Sequence, residues 1–146
     1  DVAANLAVAE RWVTEHPDTE FDFFLPPYSI LFWDKVIREG RTEAVFAAIR
    51  QAGQTLLQYD NVKFYGYLMD PEIVTNLDNY CDYIHHSGGV CREILAMLQR
   101  EEGRLTEENL EETLANWREF VVHYDYDQFW DERVWIQWNA EHAAAP

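Results

Sequence analysis

The amino-acid sequence predicts an α/β fold that is rich in helix and has about two recognisable parallel strands. Two observations support this class: two short apolar runs have the length of buried strands, and segments with helical periodicity lie on either side of each run. Strands that alternate with helices indicate parallel strands joined by right-handed crossovers. Because two parallel strands make a thin sheet for a free-standing domain, we expect the chain to be the C-terminal part of a larger doubly wound domain.

The first half of the chain contains both predicted strands. Residues 2–15 carry apolar side chains on one helical face. Residues 20–25 form an aromatic run that predicts a strand buried on both faces, and Pro26 and Pro27 stop it. After a loop and a helical turn within residues 28–37, Thr42 is expected to cap a second helix. A second strand is predicted over residues 62–68.

The second half is predicted to be mainly helical. Asp70 and Pro71 place a capping acid before a proline at the first helical position. A helix is expected after Gly88-Gly89, and Thr106 should start the last long helix. Residues 1–127 are expected to form the α/β unit, and residues 128–146 an aromatic tail with a frayed end, whose rings are more typical of packing than of a sugar-binding platform.

Charge and composition restrict the classes of function. The 146 residues include 27 acidic and 11 basic side chains, which gives a net charge of −16. No basic stripe is present to displace counterions from a phosphate backbone, so nucleic acid is excluded as a partner. The acidic surface indicates a self-repelling, soluble protein. The chain begins at Asp1 within a helical pattern and has no initiator methionine, so we expect a processed or shortened piece.

The stretch of residues 76–87 contains the most informative chemical pattern. Asp82 precedes His85 by three residues, and a carboxylate at this spacing can accept a hydrogen bond from one imidazole nitrogen. The other nitrogen is then available to take a proton from a nucleophile, as in a hydrolytic triad. The alternative is a pair of polar loop residues without a catalytic role.

No nucleophile completes this pattern. The two serines, Ser29 and Ser87, lie outside any Gly-x-Ser-x-Gly elbow, and Ser87 is better explained as a cap for the helix that follows it. Cys91 lies in an apolar helical pattern and is expected to be buried, with a disulfide to Cys81 as the alternative. His85 and His86 lack the further ligands of a zinc site, so neither a metal nor a cofactor is predicted.

Residues 26–29 are the second candidate part of a site. Two prolines fix the exit of the first strand and place Pro27, Tyr28 and Ser29 at the carboxyl edge of the sheet, where open α/β sheets bind ligands. These three residues are therefore predicted to line a substrate cleft. The alternative is a simple strand stop.

Three segments resemble one known family. Residues 23–34, Phe-Phe-Leu-Pro-Pro-Tyr-Ser-Ile-Leu-Phe-Trp-Asp, resemble the FFPPYSILYWD stretch of a bacterial SGNH-hydrolase-like family. Residues 59–65 are similar to its next strand, and residues 75–85 resemble its TNLDNYKDYMHYS block. The resemblance runs to about residue 127. It implies a flavodoxin-like, SGNH-type three-layer domain related to the teichoic acid D-alanyl transfer protein and to polysaccharide O-acetyl esterases and transferases.

The resemblance also implies a function. Asp82 would be the orienting acid and His85 the general base of a Ser-His-Asp triad whose serine lies upstream of this chain. The substrate would be an acylated cell-envelope glycan or carrier, with envelope acylation proteins as partners. The location would be extracytoplasmic or periplasmic, with a membrane anchor upstream.

The sequence differs from that family at Cys81, His86 and Gly88-Gly89. Because the chain lacks a recognisable nucleophile, the alternative function is a non-catalytic binding or assembly module. A homodimer, or the missing N-terminal half of the domain, would then supply strands that pair with the open edges of the two-stranded sheet.

Overall fold

The computed structural model describes residues 2–129, which form an α/β structure that is rich in helix. The helices and strands run in the order α1 (Val2–Glu15), β1 (Phe21–Phe24), α2 (Ile30–Arg38), α3 (Thr42–Leu56), β2 (Val62–Tyr65), α4 (Pro71–Val74), α5 (Gly88–Gln99), β3 (Arg104–Leu105) and α6 (Leu110–His123). Short 3-10 turns occupy Tyr67–Met69, Leu77–Asn79 and Tyr126–Phe129. The predicted α/β class and helix content are confirmed.

The sheet has three strands in the order β1-β2-β3. β1 and β2 are parallel, with Phe21 opposite Val62 and Phe24 opposite Tyr65. β3 is antiparallel to β2, and its two residues follow a turn in which Glu101 and Gly103 have positive φ. The parallel pair was predicted, whereas β3 was not. This small mixed sheet does not establish the more specific flavodoxin-like, SGNH-type arrangement.

One face of the sheet carries the main hydrophobic core. Side chains at alternate positions of the strands point to the same face, so Phe21 and Phe23 lie beside Val62 and Phe64. α1, α2, α3 and α6 cover this face through buried residues, including Leu6, Val13, Ile30, Trp33, Phe46, Ile49, Leu114, Trp117 and Val121. The indole of Trp33 lies 5.1 Å from the ring of Phe46 and 6.1 Å from that of Trp117.

The opposite face is covered over β2 and open over β1. Tyr65 packs in a second, smaller core with Val90, Ile94 and Met97 of α5. On β1, Asp22 is exposed and Phe24 remains 40% exposed. The prediction of a strand buried on both faces is therefore wrong for β1, because α5 lies over the neighbouring strand.

Two predicted helix starts differ from the structure. Thr42 is the first residue of α3, and Arg41 is its cap. Thr106 lies before α6 and exchanges hydrogen bonds with Asn109: the Thr106 amide donates to the Asn109 side chain, and the Asn109 amide donates to the Thr106 hydroxyl. Asp70 caps α4 as predicted, with its carboxylate accepting from the amides of Glu72 and Ile73.

No helix within residues 2–129 has the length and apolar character needed to cross a membrane. The division into 1–127 and 128–146 stays a prediction, because residues 130–146 lie outside the part of the chain that the structure describes.

Candidate functional site

The loop of residues 76–87 connects α4 to α5 and is held by its own backbone. The Asn76 side chain accepts from the amide of Asp78 at 3.2 Å. Tyr80 and His86 form an isolated antiparallel bridge, and the Cys81 amide donates to the carbonyl of His85 at 2.8 Å. Ser87 ends the loop and caps α5, where its hydroxyl accepts from the Val90 amide, as predicted. The loop is therefore a closed turn with defined geometry.

Asp82 and His85 are in direct contact inside this turn. Oδ2 of Asp82 lies 2.6 Å from Nδ1 of His85, and Oδ1 accepts from the amides of Ile84 and His85 at 2.8 Å each. The hydrogen bond to the His85 ring, followed by these two amide bonds, lowers the pKa of Asp82 to about 2. The imidazole side chain is 73% exposed. The acid orients the ring, while the catalytic role assigned to the pair stays a prediction.

The strand exit at residues 26–29 is bonded to this loop. Both the amide and the hydroxyl of Ser29 donate to the carbonyl of Tyr83, at 3.1 and 2.9 Å. The hydroxyl of Tyr80 donates to the carbonyl of Pro27 at 2.8 Å, and burial raises the pKa of Tyr80. The structure therefore brings together the two segments that the sequence singled out.

The same contacts show what Pro27, Tyr28 and Ser29 do in the fold. Pro27 and Ser29 are buried, and the Ser29 hydroxyl is already used to hold the loop. Tyr28 is half-buried and packs on Phe32, with ring centroids 5.0 Å apart. Substrate binding by these three residues stays a prediction.

The two cysteines differ from the prediction in one respect. Both are exposed free thiols, so the expected burial of Cys91 is wrong. Cys91 is one position after the buried Val90, which turns it away from the core of α5. Its sulfur lies 3.6 Å from Nδ1 of His86. Within residues 2–129, no three side chains of metal-ligating types converge.

An open cavity of about 780 Å³ lies beside α2. Its walls come from α2, from the loop and from the turn after α6, and its lining residues are Leu31, Asp34, Lys35, Arg38, Glu39, Tyr83 and Asp127. Tyr83 connects the cavity to the Asp82–His85 turn, although neither Asp82 nor His85 lines it. This cavity was not predicted from the sequence.

Two charged groups of the cavity are paired with each other. Asp34 is 7% exposed, and both of its carboxylate oxygens accept from Nε of Arg38, at 2.8 and 2.9 Å. The hydrogen bond and the charge of Asp34 raise the pKa of Arg38. The i, i+4 spacing of an acid and an arginine is a signal that sequence reasoning could have used.

Lys35 is the less tightly paired cation of the cavity. Its ammonium stands over the ring of Tyr83, 5.0 Å from the centroid, and lies 3.9 Å from a carboxylate oxygen of Glu39. The side chain of Lys35 is 51% exposed. A ligand in the cavity would therefore meet a cation beside an aromatic face.

Comparison with known proteins gives distant relatives only. No family model matches the sequence, and no solved structure matches it. Two curated proteins, from Lacticaseibacillus casei (strain BL23) and Lacticaseibacillus paracasei, are each named UPF0735 ACT domain-containing protein. Each is 24% identical to this chain over 90 residues, which cover 62% of the chain and 62% of the relative. The chain therefore spans less than two thirds of the length of these relatives.

These relatives correct the resemblance drawn from the sequence. Assignment to an SGNH-hydrolase-like family is wrong, because the similar proteins are named for an ACT domain. The esterase or acyltransferase activity inferred from that assignment is therefore also wrong. The expected envelope partners and extracytoplasmic location came from the same resemblance, and they stay predictions without further support.

Proposed function

We propose that this chain is a non-catalytic module that binds a small organic molecule in the cavity beside α2. The observation that carries the proposal is the cavity itself. Its volume of about 780 Å³ lies within the range of small-molecule sites, which are roughly 300–1,000 Å³.

The lining indicates what kind of molecule would bind. Leu31 and the ring of Tyr83 offer apolar surface, while the paired Asp34 and Arg38 form a fixed polar wall. Lys35 remains for a charged group of the ligand, because its contact with Glu39 is long and partly exposed. A ligand with a flat apolar body and one anionic group suits this combination when that group pairs with Lys35, since the lining has three acids and two cations.

Two further observations favour binding over catalysis. The hydroxyl of Ser29 donates to the Tyr83 carbonyl in the folded structure, and that of Ser87 caps α5. Neither is held against the His85 ring in the part of the chain that the structure describes. The name of the distant relatives describes a domain and not a reaction, which supports a binding module.

Titration with 8-anilinonaphthalene-1-sulfonate tests the cavity, since this dye has an aromatic body and one sulfonate. We expect saturable binding of the dye at one site, measured by fluorescence and by isothermal calorimetry. Lys35→Met, which keeps the aliphatic stem of the side chain, should weaken the dye about tenfold by removing the cation.

Arg11→Met is the matched control, because Arg11 is an exposed cation of α1 that does not line the cavity. It should leave the affinity unchanged. Equal affinity of the wild type and Lys35→Met, or equal losses in both variants, would contradict the proposed site. Chemical conversion of a bound natural ligand by the chain would contradict the non-catalytic assignment.

A further inference from the structure

The outer edge of β1 presents backbone groups that have no partner within residues 2–129. The amides of Phe21 and Leu25 donate to the carbonyls of Asn61 and Tyr65, so the odd-numbered positions of this strand face β2. In a parallel pair the intervening residues face the other way. The amides and carbonyls of Asp22 and Phe24 therefore point outward at the sheet edge.

The side chains of Asp22 and Phe24 are also exposed. Phe24 is 40% exposed, and its ring contacts only that of Tyr67, at 5.8 Å between centroids, among the described aromatic residues. The carboxylate of Asp22 has no hydrogen-bond or ion-pair partner in residues 2–129. The nearby ammonium of Lys63 is held instead by Glu20 and Glu101, at 3.0 and 2.7 Å.

We propose that this edge binds an extended strand of a partner polypeptide that carries basic side chains. The outward backbone groups of Asp22 and Phe24 would pair with the added strand, as in β-augmentation. Its basic side chains would lie on the face of Asp22, and its apolar side chains would extend the face formed by Phe21 and Phe23.

Charge complementarity selects this partner over a second copy of the chain. The protein carries a net charge of −16, and a second copy would bring the same charge and a second Asp22 to the edge. An unpaired acid in the middle of an edge strand also opposes pairing between identical strands. A basic strand instead gains an attraction at the same position.

Three synthetic eight-residue peptides test the proposal with the intact protein. Each alternates valine with one second residue, which is lysine, glutamine or glutamate. Amide hydrogen exchange is measured by NMR at low salt. The lysine peptide should slow exchange of the amides of Asp22 and Phe24, leave that of Leu25 unchanged, and bind about tenfold more tightly than the glutamate peptide.

Charge reversal at the edge provides the decisive variant. Asp22→Lys changes an exposed side chain, so the fold is expected to persist, and the glutamate peptide should become the preferred ligand. Asp18→Lys makes the same change in the exposed turn before β1 and should leave the preference for the lysine peptide. A melting curve for each variant separates loss of binding from loss of fold.

Three outcomes would overturn the proposal. One is no protection of the position-22 and position-24 amides by any of the three peptides at about 1 mM. Another is equal binding of the three peptides, which would remove the role of Asp22. The last is protection without peptide that rises with protein concentration, which would make a second copy the occupant.

Discussion

The two faces of the sheet are built from the same strands but are packed to different degrees. On one face, Phe23 and Phe64 lie under four helices and join a core that includes Trp33 and Trp117. On the other face, α5 covers Tyr65, while Asp22 and Phe24 remain open. Strand pairing alone therefore does not bury both faces of this sheet. On the second face, α5 covers β2 and leaves β1 exposed.

The larger core should give the largest loss of stability. Trp33 is fully buried among aromatic rings, so Trp33→Ala should lower the free energy of unfolding by about 3–5 kcal/mol in urea denaturation. Trp12→Ala is the matched control, since Trp12 is 49% exposed, and it should change the free energy of unfolding by less than about 0.5 kcal/mol. Similar losses in both variants would mean that the four-helix face is not the main core.

Truncating a side chain of the smaller core should lower the free energy of unfolding by a smaller amount. Ile94 of α5 is 4% exposed, and Ile94→Ala should lower the free energy of unfolding by about 2–3 kcal/mol. Its neighbour Leu95 is 62% exposed, so Leu95→Ala should be nearly neutral. If chemical denaturation showed no difference between these two variants, α5 would not be docked on the sheet as described.

The hydroxyls of two tyrosines differ in whether they have a hydrogen-bond partner. The Tyr65 hydroxyl is buried without a hydrogen-bond partner in the described residues, and burial raises its pKa. Tyr65→Phe should therefore raise the free energy of unfolding by about 1 kcal/mol. Tyr80→Phe removes a hydroxyl that donates to Pro27 and should lower it by about 1 kcal/mol. Changes of the same sign in thermal melts would contradict this difference.

The smallest expected effect belongs to the exposed Asp82–His85 turn. The pKa of Asp82 is about 2 in the folded protein and 3.8 without the turn, so the pair stabilises the fold above pH 3.8 and loses this contribution as the pH falls towards 2. Carbon-13 NMR titration should give a pKa near 2 for the wild type and a higher one for His85→Ala. The free energy of unfolding of Asp82→Asn should vary less between pH 4 and 2 than that of the wild type. An unchanged Asp82 pKa in His85→Ala would show that the ring hydrogen bond is absent in solution.

Local sequence patterns predicted the elements whose signal lies within one segment. The helical period over residues 2–15 predicted α1, and Asp70 before Pro71 predicted the start of α4. β3 was missed because two residues are too short for any period, and its position depends on the turn with Glu101 and Gly103. Cys91 was misplaced because burial on α5 follows Val90, Ile94 and Met97, one step away from it.

The site was predictable only in part, because local sequence patterns do not show which distant segments meet in the fold. The Asp82–His85 contact follows from local spacing, and the structure contains it. The cavity combines α2 with Tyr83 and Asp127, which lie far along the chain, so no local pattern indicates it. The resemblance to a hydrolase family rested on short segments. Its conclusion was wrong because the relatives that match this chain are named for an ACT domain.

The register of the sheet has a consequence for the kinetics of folding. Each pairing joins residues about 40 positions apart, as Phe21 with Val62 and Phe64 with Leu105. Closing loops of this size costs chain entropy before any strand contact stabilises the product, so we expect strand pairing to limit the refolding rate. Helices form on a much shorter timescale than such pairings. A chain released from denaturant should therefore gain helical circular dichroism before the environment of Trp33 becomes native.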